Sequence, residues 1–515
     1  MNVLGQSIMA RFFSSILGNI AKGILTFVTT IVLVRILSVE SYGRFSYLLY
    51  TLIAFRLFFD LGFPSTIFTF LSQARRSKVF RGLIGAWAGL ALGAQIIFIL
   101  LIPLTALNYL WPNEELYLVL MGVIGVYMRF GLWPLAAQVG ESNRSTFQVQ
   151  IINNICLLAH LIIIFILYYF DALTLPNIFI SMAIIWGLGS LVSIGLYFGV
   201  KDTDNNIAPL GNYEPVAKSA FLRYWLPLVP FTILGASVDL LDRWILIVTG
   251  GVIEQAFFSI AFQLSAIILL VTTSITRIYW KEIAELSHSE SFELVRLLSS
   301  RVIIYMTFFS LMASVFCILW SKPLLSLALG SEYSGAEGAF AILMIYPVLQ
   351  TYNIILGILM LSTGLTQRYS FINIVWVIFS LFTSYSLFQY GHLININVIT
   401  SSTLATKLVS LALLQSFLLT IAARKFISMF EIRKIFFALL VLVTLGSFVL
   451  FSESLIFSHR LDFVRVLLAG LFYTLLVVVS LYRFPRFFEA RSGDIQLVKN
   501  KAVTVIKTRF LKVVS

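Results

Sequence analysis

The chain has 515 residues, 59% of them hydrophobic and only 11% charged, with a mean hydropathy of +0.96. A soluble domain carries about 25% charged residues because its surface faces water, so a water-covered surface of this size is excluded and the surface must face lipid. The net charge of +13 then reads as basic cytoplasmic loops rather than as a nucleic-acid footprint, and no nucleic-acid partner is expected.

In chain order, fourteen apolar runs approach or exceed the roughly 20 residues that cross about 30 Å of hydrocarbon as a helix. The first half holds Phe13–Val34, Phe45–Leu71, Leu83–Ile102, Leu116–Ala137, Phe147–Phe170 and Ile178–Val200. Then come Tyr224–Val248, Ala256–Ile275, Val302–Trp320, Ala339–Leu361, Phe371–Phe388 and Val398–Ile421, followed by Ile435–Phe451 and Phe463–Leu481. The runs are continuous rather than alternating, which predicts an all-α polytopic membrane protein of about 14 transmembrane helices and not a β-barrel. The first run lacks a small-residue cleavage site and is read as a retained helix.

Loop charge orients the chain. Arg75, Arg76, Lys78, Arg81, Arg144, Lys201, Lys218 and Arg223 fall on one side, as do Arg277, Lys281, Arg296, Arg301, Arg368, Arg424, Lys425, Arg433 and Lys434. Only Arg35, Arg44, Lys322, Arg460 and Arg465 fall on the other. The positive-inside rule places the richer side in the cytoplasm, so both termini are expected there, in a bacterial inner membrane. Outer loops are short and leave no room for a folded periplasmic domain.

A repeat divides the chain. Val39-Glu-Ser-Tyr-Gly-Arg-Phe-Ser46 follows the first run, and Val252-Ile-Glu-Gln-Ala-Phe-Phe-Ser259 follows the seventh, about 213 residues on. With matching topology this predicts two six-helix lobes, 1–200 and 224–422, joined by a cytoplasmic linker at 201–223, as in transporters built from parallel repeats. An added helix pair occupies 423–483, and a basic tail occupies 484–515. In the tail, Val498, Ala502, Ile506, Phe510 and Val513 recur at helical spacing among Lys499, Lys507, Arg509 and Lys512. That pattern fits either an interfacial helix on anionic lipid or an unstructured basic tail.

Ionisable residues inside the spans carry the functional signal. Each costs roughly 2.5–3.5 kcal/mol at a helix centre, so each should face a partner or a cavity. Lys22, Arg56, Asp60, Arg129, Asp239, Asp242, Arg243 and Lys407 are in this position, and cations outnumber carboxylates, which favours an anionic ligand. Arg56 with Asp60, and Asp239 with Arg243, are spaced i,i+4 and either neutralise themselves or line the cavity. Lys22, Arg129 and Lys407 have no such partner on their own helices. The candidate substrate-binding set is therefore Lys22, Arg56, Arg129, Arg243 and Lys407, since lysine and arginine supply charge-assisted hydrogen bonds to phosphate. Asp60, Asp239, Asp242 and His160 are candidates for ion coupling, although a single histidine also reads as a packed, hydrogen-bonded one. Pro64, Pro134, Pro227, Pro230 and Pro347 permit kinks in the spans.

No catalytic constellation is present. There is no phosphate loop of Walker spacing, no nucleophile elbow and no Cys/His ligand spacing, and Cys156 and Cys317 read as core residues. No cofactor, no metal and no enzymatic activity are expected.

Several segments resemble polysaccharide exporters. Arg35-Ile-Leu-Ser-Val-Glu-Ser-Tyr-Gly-Arg-Phe-Ser46 looks like their stretch after helix one, and Asp60-Leu-Gly-Phe-Pro64 resembles their Leu-Gly motif in helix two. Leu240-Leu-Asp-Arg-Trp-Ile-Leu-Ile247 resembles the segment that opens their second half, and Gly330-Ser-Glu-Tyr-Ser-Gly-Ala336 an element before helix ten. Ala256 departs from the repeat, where the first copy has Gly43. The chain thus resembles the O-antigen flippase (Wzx-like) branch of the multidrug/oligosaccharidyl-lipid/polysaccharide (MOP) exporter superfamily. That resemblance implies two lobes around a cationic cavity and translocation of undecaprenyl-diphosphate-linked glycan from the cytoplasmic to the periplasmic leaflet. It also implies a polysaccharide polymerase and chain-length proteins as partners. The rival readings are a lipid II flippase, a MATE-type drug exporter and, in a different class, an O-antigen polymerase or ligase.

Overall fold

The computed structural model describes residues 8–64, 66, 78–142, 145–198, 222, 225–226, 228–288, 292–391, 398–426, 429–456 and 462–483. Nearly all of the linker expected at 201–223, the whole tail at 484–515, and Arg75, Arg76, Arg144, Lys201, Lys218, Arg223, Pro227 and Arg460 lie outside the described residues. Among the described residues every regular element is helical.

The first half runs α1 (Ile8–Ile36), α2 (Val39–Asp60), α3 (Lys78–Leu101), α4 (Leu104–Leu110) and α5 (Leu116–Val126), then a π-helical turn (Tyr127–Leu132). It continues with α6 (Trp133–Ser142), α7 (Thr146–Tyr169), α8 (Leu175–Phe198) and the long α9 (Leu228–His288). The second half runs α10 (Phe292–Leu319), α11 (Ser321–Leu329), a 3-10 turn (Ser331–Ala336), α12 (Glu337–Leu343) and α13 (Tyr346–Ser362). It ends with α14 (Thr366–Tyr390), α15 (Ser401–Ala422), α16 (Met429–Ile456) and α17 (Asp462–Arg483).

Twelve stretches among the described residues are long and apolar enough to span a membrane. The difference from fourteen has a physical basis. Arg44, Arg56 and Asp60 make α2 too charged to qualify by composition. The seventh and eighth predicted spans fall on either side of Gly251, where φ of 82° and ψ of −179° break α9 into two helical segments, so a single stretch of 43 residues stands where two spans were predicted. Large apolar side chains such as Leu101, Phe165, Leu191, Phe382 and Leu471 point outward, as a lipid-facing surface requires. The protein is a multi-pass membrane protein.

Local chemistry sets the helix ends that matter for the site. Ser38 caps α2, its hydroxyl accepting from the Ser41 backbone N–H at 3.2 Å, the usual repair for an orphan donor at a helix start. At the other end Leu61 takes a left-handed conformation (φ 50°) and Gly62 follows at φ 72°. The Leu-Gly motif is therefore a helix stop, and glycine is what a positive φ favours. Within the fourth predicted span, Trp133 N–H reaches back five residues to Met128 O. Pro134 has no N–H to give and its ring crowds the preceding turn, which fits the widened π turn just before it. In the tenth predicted span Pro347 stands at the start of α13, and the span is accordingly split into α12 and α13.

The chain divides into two compact units, one of Met1–Leu270 with Asn373–Lys407, the other of Val271–Ile372 with Leu408–Ser515. In the first unit α1 packs along α7, and α5 along α8. The two repeat segments also meet: a Cβ on Gly43 would lie 2.2 Å from Val252 O, so only glycine permits this approach of α2 to α9. In the second unit α10 packs on both α13 and α16, and α16 on α17. The buried face of α10 is rich in small polar residues, Ser299, Thr307, Ser310 and Ser314, which let helices approach closely where lipid removes the hydrophobic drive. The added C-terminal pair is pinned to the unit by Glu453, whose carboxylate accepts from Trp320 Nε1 and Arg465 Nε, both at 2.5 Å.

Candidate functional site

All nine singled-out residues fall in the first unit. They form three groups.

The first group is the α2 pair. Arg56 and Asp60 are 9% and 3% exposed and joined by a direct guanidinium–carboxylate hydrogen bond one helical turn apart. Arg56 reaches the π turn, where a Cβ on Gly131 would sit 3.4 Å from Arg56 Cδ. The i,i+4 spacing thus yields a self-neutralised pair.

The second group joins α9, α14 and α15. Lys407, 7% exposed, is ion-paired with Asp242 and donates to Ser384 Oγ at 2.5 Å. Ser384 Oγ in turn lies 2.6 Å from Asp242 Oδ1. Lys407 has no partner on its own helix, and the partner it finds is 165 residues distant in sequence. Arg243 is also buried and within electrostatic range of Asp239 and Asp242. It donates to Ser259 Oγ at 2.9 Å and lies 3.8 Å from the Tyr50 ring centroid and 5.5 Å from that of Phe258. Ser259 is held in place by Gln255 Nε2 at 3.1 Å. Asp239 is exposed and lies within electrostatic range of Arg243, Asp242 and Lys407. Asp239 and Arg243 are therefore electrostatic neighbours, and the guanidinium gives its hydrogen bond to Ser259.

The third group surrounds the π turn. Arg129 lies 4.4 Å from the Trp186 ring centroid and 5.1 Å from that of Phe130, a cation–π arrangement. It is within electrostatic range of Tyr50 and of Lys22, and Lys22, exposed on α1, is in range of Glu141 as well. His160 is 1% exposed, its Nδ1 3.2 Å from Ser181 Oγ and its ring edge-on to Trp186 at 5.2 Å. Its surroundings are those of a packed, hydrogen-bonded side chain.

Tyr50 links the second and third groups, since both Arg243 and Arg129 are within its reach. A further hydrogen-bond chain, Thr30 Oγ1 to Gln263 Oε1 at 2.9 Å and Gln263 Nε2 to Tyr42 OH at 3.0 Å, ties α1, α9 and α2 together alongside. The sequence reading missed Tyr50, Trp186, Ser259 and Ser384. Tyr50 lies six residues before Arg56 on a helix already marked by its charges, but no sequence spacing distinguishes it from the other tyrosines. Lys22, Arg129, Arg243 and Lys407 outnumber the carboxylates Asp239, Asp242 and Glu141 around them. Such a set can hold an oxyanion through charge-assisted hydrogen bonds. Among the described residues no group of His, Cys, Asp or Glu comes together to hold a metal.

No protein-family model matches the sequence, and no curated protein matches it. Solved structures do. The lipid II flippase MurJ in an inward closed conformation superposes with a TM-score of 0.64 at 14% identity, covering 91% of this chain and 99% of its own. An inward-facing multidrug resistance MATE transporter of the MOP superfamily gives 0.57 at 14% identity, covering 82% and 96%. The MATE transporter VcmN of Vibrio cholerae gives 0.54 at 13% identity, covering 81% and 95%. At these identities the likeness is one of fold: the chain has the fold that MurJ and MATE transporters share.

Proposed function

We propose that this protein is a flippase that carries a lipid-linked oligosaccharide across the membrane, with an undecaprenyl-diphosphate-linked surface-polysaccharide unit, of O-antigen type, as its cargo. The observation that carries the reading is the gathering of Lys22, Arg129, Arg243 and Lys407 in one unit, where cations outnumber carboxylates. A diphosphate is the anion such a set suits, because lysine and arginine donate several charge-assisted hydrogen bonds to phosphate oxygens. The fold shared with a lipid II flippase supports a membrane translocator over an O-antigen polymerase or ligase. The excess of cations disfavours a carrier of cationic drugs. Alternating access of two repeat-related lobes, 1–200 and 224–422, is the mechanism that the parallel repeat suggests. Ion coupling is assigned to Asp239 and Asp242, and a polymerase and chain-length proteins remain proposed partners.

The test is complementation of a flippase-null bacterium, read as the lipopolysaccharide ladder on a gel. A restored ladder, lost in Lys22→Ala and Arg129→Ala at unchanged membrane level, supports the reading. No ladder in the null strain, together with no stalled lipid-linked units when the gene is deleted from its native host, refutes it.

A further inference from the structure

We propose that Asp242 is a built-in counter-anion that keeps Lys407 from capturing ordinary phospholipid headgroups and yields it only to a diphosphate. The inference rests on the glycolipid reading above and assigns that site's selectivity. Its starting point is an apparent contradiction: the most buried lysine of the site is already neutralised. Lys407 is held by one carboxylate and one hydroxyl, contributed by α9 and α14, while it sits on α15 itself. A ligand phosphate must therefore displace Asp242 before it can bind.

Bulk lipid explains why that is useful. A membrane presents net-anionic phosphodiester headgroups in vast excess over any lipid-linked intermediate, and a bare cationic pocket would fill with them, whereas a zwitterionic headgroup such as phosphatidylcholine carries its own cation. A phosphodiester carries one negative charge, the same as the carboxylate it would replace, so the exchange gains nothing and loses a well-made ion pair. A diphosphate carries more charge and more acceptor oxygens. Selectivity of this kind works by penalising the wrong ligand as well as by favouring the right one.

Two details fit the displacement. Asp242 is not stranded when Lys407 leaves, because Ser384 Oγ lies 2.6 Å from its carboxylate. Arg243, the next residue along α9, gives its hydrogen bond to Ser259 and lies over the Tyr50 ring. Both Arg243 and Lys407 lie within electrostatic range of Asp239, which puts two cations in one neighbourhood. One phosphate group engages one cation, whereas a diphosphate can engage both.

The experiment uses the full chain in nanodiscs of phosphatidylcholine alone or with phosphatidylglycerol, and farnesyl diphosphate as the probe. The wild-type protein is expected to bind the probe with nearly the same affinity in both membranes. Asp242→Asn is expected to bind it at least as tightly in phosphatidylcholine, and about tenfold more weakly once phosphatidylglycerol is present, which corresponds to about 1.4 kcal/mol of competition. Asp242→Glu should restore wild-type behaviour. Asp242→Ser carries the same expectation if the Asn variant does not reach the membrane. An Asn or Ser variant indifferent to phosphatidylglycerol overturns the inference while leaving the glycolipid reading intact. A wild-type protein that binds no farnesyl diphosphate overturns both. Inorganic pyrophosphate competing as well as the farnesyl compound overturns the lipid as the source of the diphosphate.

Discussion

Arg56 and Asp60 allow a sharp separation of structure from transport. The two side chains are 9% and 3% exposed and each is the other's charge partner on one face of α2. Arg56 Nε is already buried without a hydrogen-bond acceptor, so the guanidinium has no spare contact to fall back on. Removing one member of a buried pair leaves an uncompensated charge and costs about 3–5 kcal/mol, whereas replacing both with apolar residues of similar size is often neutral or favourable. Arg56→Met and Asp60→Leu should each lower the membrane level and the Tm of the purified protein. The double variant Arg56→Met/Asp60→Leu should recover to within about 1 kcal/mol of wild type. The Tm can be followed with a thiol-reactive dye, because Cys156 is buried and Cys317 half-buried and both become reactive on unfolding. The lipopolysaccharide ladder is read in parallel. If the double variant is as abundant and as stable as wild type yet exports nothing, the pair acts on the cargo or the coupling ion and the structural account is wrong.

Other expectations follow from single contacts. Arg243→Lys keeps the charge but loses the flat guanidinium over Tyr50 at 3.8 Å, so export should fall by about tenfold, corresponding to the 1–2 kcal/mol of a desolvated cation–π contact, with membrane level unchanged. Gly43→Ala should destabilise by about 1–3 kcal/mol, the usual cost of overpacking, since the new Cβ would meet the Val252 carbonyl oxygen at 2.2 Å. Gly89→Ala, whose Cβ would meet nothing within 4 Å, should leave the Tm unchanged or raise it. Glu453→Ala removes the buried carboxylate that holds Trp320 and Arg465. It should expose the α16–α17 pair to proteolysis at lower protease concentration than in wild type.

Much of the fold was legible in the sequence because lipid imposes it. Long apolar runs must become helices in hydrocarbon, where every backbone group needs an internal partner, and the described helices lie where the runs do. The Arg56–Asp60 pair was legible too, because four-residue spacing puts two side chains on one face. The union of Lys407 with Asp242 was not. It joins residues 165 positions apart, and no local periodicity reports on a contact made by the packing of three helices. The same holds for Tyr50 and Trp186, which the sequence offers among 21 tyrosines and nine tryptophans with nothing to set them apart. The repeat was visible as matched letters, but the meeting of its two copies at Gly43 and Val252 was not.

The π turn at Tyr127–Leu132 amounts to a phase slip. One residue more than an α-helix needs is wound into a single turn, and each residue of an α-helix advances the side chains by about 100°. Everything from Trp133 to Ser142 therefore lags by that step behind the phase an unbroken α-helix of the same length would have. Deleting one residue of the turn would close it into a regular α-helix and leave Leu135, Ala136 and Val139, buried now, facing the neighbours they pack against, because the widened turn is what absorbs the extra residue. Rewinding the turn as α without a deletion would instead rotate those three away by about 100°. The span thus tolerates the loss of a residue here better than the loss of the π turn, and Arg129 sits within the turn that takes up the slack.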